Sequence, residues 1–252
     1  MNLFSKTILG KSISILSNNL YKKKLETLGF VLLSLLLGSI CLFAFSALIG
    51  VEMKSENGNM SYICTIVKSI ESIVILLITM RILMTESEVE EAKKYSFKNC
   101  LVLIVSFIVI VIIAKLVDIL VVKNYKLEFY NIIGRTDEFA LVRAIVMYLF
   151  LSVILAIPVY LVGYRIFNFV KKGTEVSLLK GLKSFIKNII RILICWILFK
   201  GIEVLSCIFI LKYYMVCGVI CSIANSLYLA LVVSIAYTSV EEESKKITKS
   251  VS

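Results

Sequence analysis

Residues 189–211 read IIRILICWILFKGIEVLSCIFIL, an apolar run with Lys200 and Glu203 set three apart near its middle. A helix needs roughly 20 apolar residues to cross a hydrocarbon core of about 30 Å, and this run has that length. A charge at the centre of such a span costs about 2.5 to 3.5 kcal/mol on insertion scales, so both side chains need a protein interior to shelter in. The pattern recurs as Lys68 and Glu71 within 61–84, and as Lys115 and Asp118 within 99–122. Three further apolar stretches, 27–50, 139–163 and 214–238, complete a set of six.

Composition agrees. Hydrophobic residues make up 60% of the 252 and charged residues only 18%, and mean hydropathy is +0.96. That is too apolar for a water-soluble domain. The expectation is an all-α, polytopic membrane helix bundle forming one membrane domain over 1–252, with six transmembrane helices and little left for a catalytic domain. The first apolar stretch follows a basic amphipathic leader and is too long for a secretory core, so it reads as a retained helix. All seven cysteines, Cys41, Cys64, Cys100, Cys195, Cys207, Cys217 and Cys221, fall in or at the ends of spans without zinc spacing, and read as small apolar fillers.

Charge sets the orientation. Nineteen lysines and arginines fall on the side of the leader and the tail, against five on the other. The positive-inside rule then puts both termini in the cytoplasm of a cell membrane. The net charge of +11 points to anionic membrane lipid as the partner and not to nucleic acid, because the basic residues flank spans on one side. Two cytoplasmic segments look amphipathic: the leader 1–25, with Leu9, Ile13, Leu16 and Leu20 on one face, and an interfacial helix at about 174–190. In the latter, Ser177, Lys180, Ser184, Lys187 and Arg191 form the polar side, opposite Leu178, Leu182, Phe185 and Ile189. A weaker amphipathic stretch spans Glu86 to Lys98, and 239–252 reads as a polar tail.

Two readings of the charged pairs stand open. Three-residue spacing puts each lysine and its acid on one helical face, where they can pair within their own helix and fix packing. Alternatively the faces turn toward one another and line a polar cavity open to the outside, as intramembrane ionisable groups on transport routes do. The candidate residues are Lys68, Glu71, Lys115, Asp118, Arg143, Lys200, Glu203 and Asn225. Arg143 lies near the outer end of its span and Asn225 is placed to hydrogen-bond between helices. Gly201, between Lys200 and Glu203, would let a neighbouring helix approach closely. Pro158, the single proline, should bend the fourth span.

Histidine is absent, which removes Ser-His and Cys-His catalysis and HExxH metalloprotease sites. No Walker-type glycine loop is present, and one intramembrane aspartate, Asp118, does not make an aspartyl pair. The chain therefore reads as non-enzymatic, with no catalytic, cofactor or metal site.

The stretch Ser17-Asn18-Asn19-Leu20-Tyr21-Lys22-Lys23-Lys24, leading into the first span, and Gly181 to Arg191, leading into the fifth, resemble a bacterial six-helix membrane domain. That domain occurs alone or ahead of glycerophosphodiester phosphodiesterases. The length and topology are similar also to the six-span permease subunits of exporters that confer immunity to peptide antibiotics. The latter resemblance implies a separate ATPase subunit as partner, and a homo-oligomer is a further option. The expected function is a transporter-like or permease-like component; the alternative is a membrane scaffold or immunity factor that recruits a partner or anionic lipid through its basic interfacial helices.

Overall fold

The computed structural model describes residues 7–36, 39, 60–93, 95, 99, 101–110, 112–113, 116, 136–208 and 210–251. Over 60–65, 67–68, 136–151, 203–204, 206–208, 210–218 and 246–251 it describes the backbone alone. Among the described residues every regular element is an α-helix. They are α1 (Ile8–Lys22), α2 (24–36), α3 (Met60–Leu83), α4 (86–93), a short apolar helix Leu101–Ile110, α5 (Thr136–Lys172), α6 (Leu178–Ile208) and α7 (Ile210–Val251).

Local chemistry sets several boundaries. Thr7 caps α1, its hydroxyl accepting from the Gly10 N–H at 3.1 Å. The ammonium of Lys23 donates to the carbonyls of Arg81 (2.7 Å) and Met84 (2.5 Å), satisfying orphan acceptors at the end of α3. Thr85 and Glu88 form a reciprocal capping box at the start of α4. The Thr85 N–H donates to Glu88 Oε2 at 2.8 Å and the Glu88 N–H to Thr85 Oγ1 at 3.5 Å. Helix α5 runs through Pro158 and stops at Gly173, whose φ of 64° suits the left-handed closing position; its N–H bonds Phe169 O at 2.7 Å.

Helix α7 is the hub, packing against α1, α3, α5 and α6. Residues 228–240 are buried on every side, as expected of a helix with no polar face. Helices α3, α5 and α7 meet at Gly163, where a Cβ would lie 3.6 to 3.8 Å from Phe167, Leu76 and Ala236. Among the described residues, two helical stretches, Ser152–Lys172 and Val219–Lys245, are long and apolar enough to cross a membrane.

Three segments differ from the sequence reading. The leader helix does not simply present Leu9, Ile13, Leu16 and Leu20: it docks on α7 through Leu9, Ser12 and Leu16, and leaves Ile13 exposed. Hydrogen bonds select that face. Ser12 donates to Thr238 Oγ1 at 2.9 Å, and Ser234 donates to the Ser12 carbonyl at 2.9 Å. The segments read as an interfacial helix and a fifth span form one uninterrupted helix, α6. Its first turns bury Gly181, Ser184, Phe185 and Asn188 and expose Leu178, Leu182 and Ile189. Small and hydrogen-bonding side chains face the protein there because they allow close contact with α5. Finally, the tail is helical through Val251 as the end of α7. Glu242 pairs with Lys11 at 2.6 Å, which ties that end back to the leader.

Candidate functional site

Three of the eight candidate residues meet at one junction. Glu71 comes from α3, Lys200 from α6 and Asn225 from α7, and they are 1%, 3% and 3% exposed. The Lys200 ammonium donates to Asn225 Oδ1 at 3.0 Å, and Asn225 Nδ2 donates to Glu71 Oε1 at 2.8 Å. Asparagine is the side chain for this bridge, since its carbonyl accepts from a cation and its amide donates to an anion. The polarity of the relay matches an ammonium that can only donate at one end and a carboxyl oxygen that accepts at the other. Glu71 and Lys200 each make a further interaction beyond this relay.

The relay links groups on three different helices. Each helix contributes a polar group that apolar surroundings would penalise, and the three groups answer one another across the bundle. Counting along each helix from its end near Met60, Ile208 or Ile210, they lie about 17, 12 and 22 Å deep at 1.5 Å per residue. Lys68, Arg143 and Glu203 stand in α3, α5 and α6, while Lys115 and Asp118 lie outside the described residues. Among the described residues no atom lies within 4 Å of a Cβ built on Gly201. At Gly181 the added carbon would meet Leu161 at 3.1 Å.

A second buried network joins α5, α6 and α7 on the side of α6 away from the relay. Tyr160 and Ser184 share a hydroxyl contact of 2.9 Å. Asn188 Nδ2 reaches Tyr160 at 3.0 Å and Ser239 at 3.0 Å, and Arg191 donates to Asn188 Oδ1. Sequence reasoning placed Ser184 on a solvent face and passed over Asn188. The available signal was the column Gly181, Ser184, Asn188, small or amide residues at helical spacing within an apolar helix.

At the same end, ion pairs close the bundle. Lys171 pairs with Glu88 at 2.5 Å and lies 5.3 Å from the centroid of the Tyr237 ring. Tyr164 donates to Glu243 at 2.8 Å, with Lys172 at 3.4 Å from the same oxygen. Arg165 is buried; its guanidinium donates to Val176 O at 3.1 Å and Tyr95 OH at 3.2 Å, holding the connection between α5 and α6. Burial alone pushes the Glu88 carboxyl up. The hydrogen bond from Lys171, the Thr85 N–H and hydroxyl, and the Lys171 charge outweigh it and hold Glu88 below its ordinary value.

Cys195 and Cys221 are free thiols. Among the described residues no group of three or more Cys, Asp or Glu is placed to hold a metal. Comparison of the chain with protein-family models, with curated proteins and with solved structures finds no match.

Proposed function

We propose that this chain is a six-span cell-membrane protein with both termini in the cytoplasm, working as a non-enzymatic, transporter-like or permease-like component around the Glu71–Asn225–Lys200 relay. The observation that carries this reading is the burial of a carboxylate and an ammonium joined by one amide where α3, α6 and α7 meet. Intramembrane ionisable groups are expensive, and they persist mainly where a solute or ion route uses them. The helices also present large apolar side chains outward, as a lipid-facing surface requires. Leu101, Ile104 and Ile108 on the short apolar helix and Ile190, Ile197 and Leu198 on α6 are all exposed.

The three relay side chains are buried. A transporter opens such a site to the outer face during its cycle, whereas a purely structural clamp stays shut. Ser222 lies one turn before Asn225 on α7 and is 7% exposed. In the full chain with its native cysteines replaced by serine, Ser222→Cys is expected to react with a membrane-impermeant maleimide added outside intact cells. Labelling seen only after the cells and the fold are disrupted would remove the transport reading and leave a packing role.

A further inference from the structure

Several lysines at the relay-distal end of the bundle are already neutralised. Lys11, Lys93, Lys171 and Lys172 pair with Glu242, Glu90, Glu88 and Glu243, and Lys23 is spent on the carbonyls ending α3. Lys180, Lys183 and Lys187 are exposed and have no carboxylate partner among the described residues. At 100° per residue they share one edge of α6, beside the buried column Gly181, Ser184 and Asn188. Next to that edge, outward, stand Leu179, Ile186 and Ile190, exposed by 71%, 58% and 70%. Beyond Arg191 the same outward surface continues as Ile194, Ile197 and Leu198, without a charge.

We infer that the first three turns of α6 form a binding site for an anionic phospholipid. Its phosphate lies along Lys180, Lys183 and Lys187, and its acyl chains run down Ile186, Ile190 and Ile194. Charge complementarity selects this occupant: three unneutralised cations need an anion, and the adjoining apolar strip needs hydrocarbon. A second copy of this chain would bring three more positive charges to the same edge. Arg191, half-buried at the end of the edge, donates to Asn188 and so connects the site to the Tyr160–Ser184–Ser239 network. The inference rests on the membrane reading but not on the relay, so failure of the Ser222→Cys labelling leaves it standing.

The test is native mass spectrometry of the delipidated, detergent-purified full chain, titrated with phosphatidylglycerol and separately with phosphatidylcholine. Each lysine near an anionic headgroup contributes about fivefold in affinity, so the three together should favour phosphatidylglycerol by about a hundredfold. K180Q/K183Q/K187Q should lose that preference, K180R/K183R/K187R should keep it, and K22Q/K24Q, two lysines off this helix, should keep it too. Equal binding of the two lipids by the native chain, an unchanged preference in the glutamine variant, or an equal loss in K22Q/K24Q would each overturn the site. Should the triple glutamine variant lose helix content by circular dichroism, Lys183→Gln is read alone. It should then bind phosphatidylglycerol about fivefold more weakly.

Discussion

At the residue scale, the relay makes Glu71 and Lys200 energetically dependent although no direct contact between them defines it. Removing either end leaves Asn225 with one unanswered amide edge inside the bundle. Polar contacts between membrane helices are worth about 1 to 2 kcal/mol in favourable cases. Glu71→Gln and Lys200→Met should each destabilise the bundle by about that much, and the double variant by clearly less than their sum. Unfolding in mixed detergent micelles measures all three; strict additivity would mean that the ends act independently. The charges themselves were legible, because Glu71 and Lys200 interrupt apolar runs. Asn225 was legible as a residue that hydrogen-bonds between helices. Which groups it joins was not, because that depends on how three helices are rotated, which hydropathy does not encode.

At the element scale, the clearest device is the clamp between the start of α4 and the end of α5. Glu88 both caps α4 through Thr85 and pairs with Lys171. Its carboxyl is held below the ordinary value in the folded state, so the stabilisation is fully present above the unfolded-state value and is lost as pH falls through the folded-state value. Thermal unfolding followed by circular dichroism should show a lower melting temperature on acidification through the carboxylate range. In Glu88→Gln the starting value should be lower and the acid-dependent part of the drop smaller; an identical acid response would dissociate Glu88 from it. A second element-scale prediction concerns Gly173, whose positive φ ends α5. Gly173→Ala should cost about 1 kcal/mol, since an L side chain resists that conformation, and an unchanged melting temperature would contradict it. Thr85-Glu86-Ser87-Glu88 carries the capping signature in the sequence itself. The inward turn of Ser184 and Asn188 does not show there. Amphipathic reasoning sorts residues by polarity and assumes that polar means outward, and here Tyr160 and Ser239 supply the hydrogen bonds that reverse the assumption.

At the scale of the whole molecule, α7 organises everything else. Its 42 residues make a rod of about 63 Å, twice the thickness of a hydrocarbon core of about 30 Å. One stretch contributes Asn225 to the relay, a middle stretch packs on every neighbour, and the end beyond Thr238 gathers Lys11, Tyr164 and Lys172 on Glu242 and Glu243. Apolar run lengths made the α3 helix readable almost to the residue, 61–84 against Met60–Leu83. They could not show that the tail continues α7 or that the leader docks on it, because those segments are polar enough to pass for solvated ends. The central claim is that an ammonium and a carboxylate are joined by Asn225 inside the bundle, and solid-state NMR on the membrane-reconstituted chain tests it directly. Dipolar recoupling between asparagine side-chain nitrogens and glutamate carboxyl carbons should give a contact one bond beyond the 2.8 Å N···O separation, and Asn225→Leu should abolish it. Absence of that contact in the native chain, or its survival in Asn225→Leu, would contradict the account.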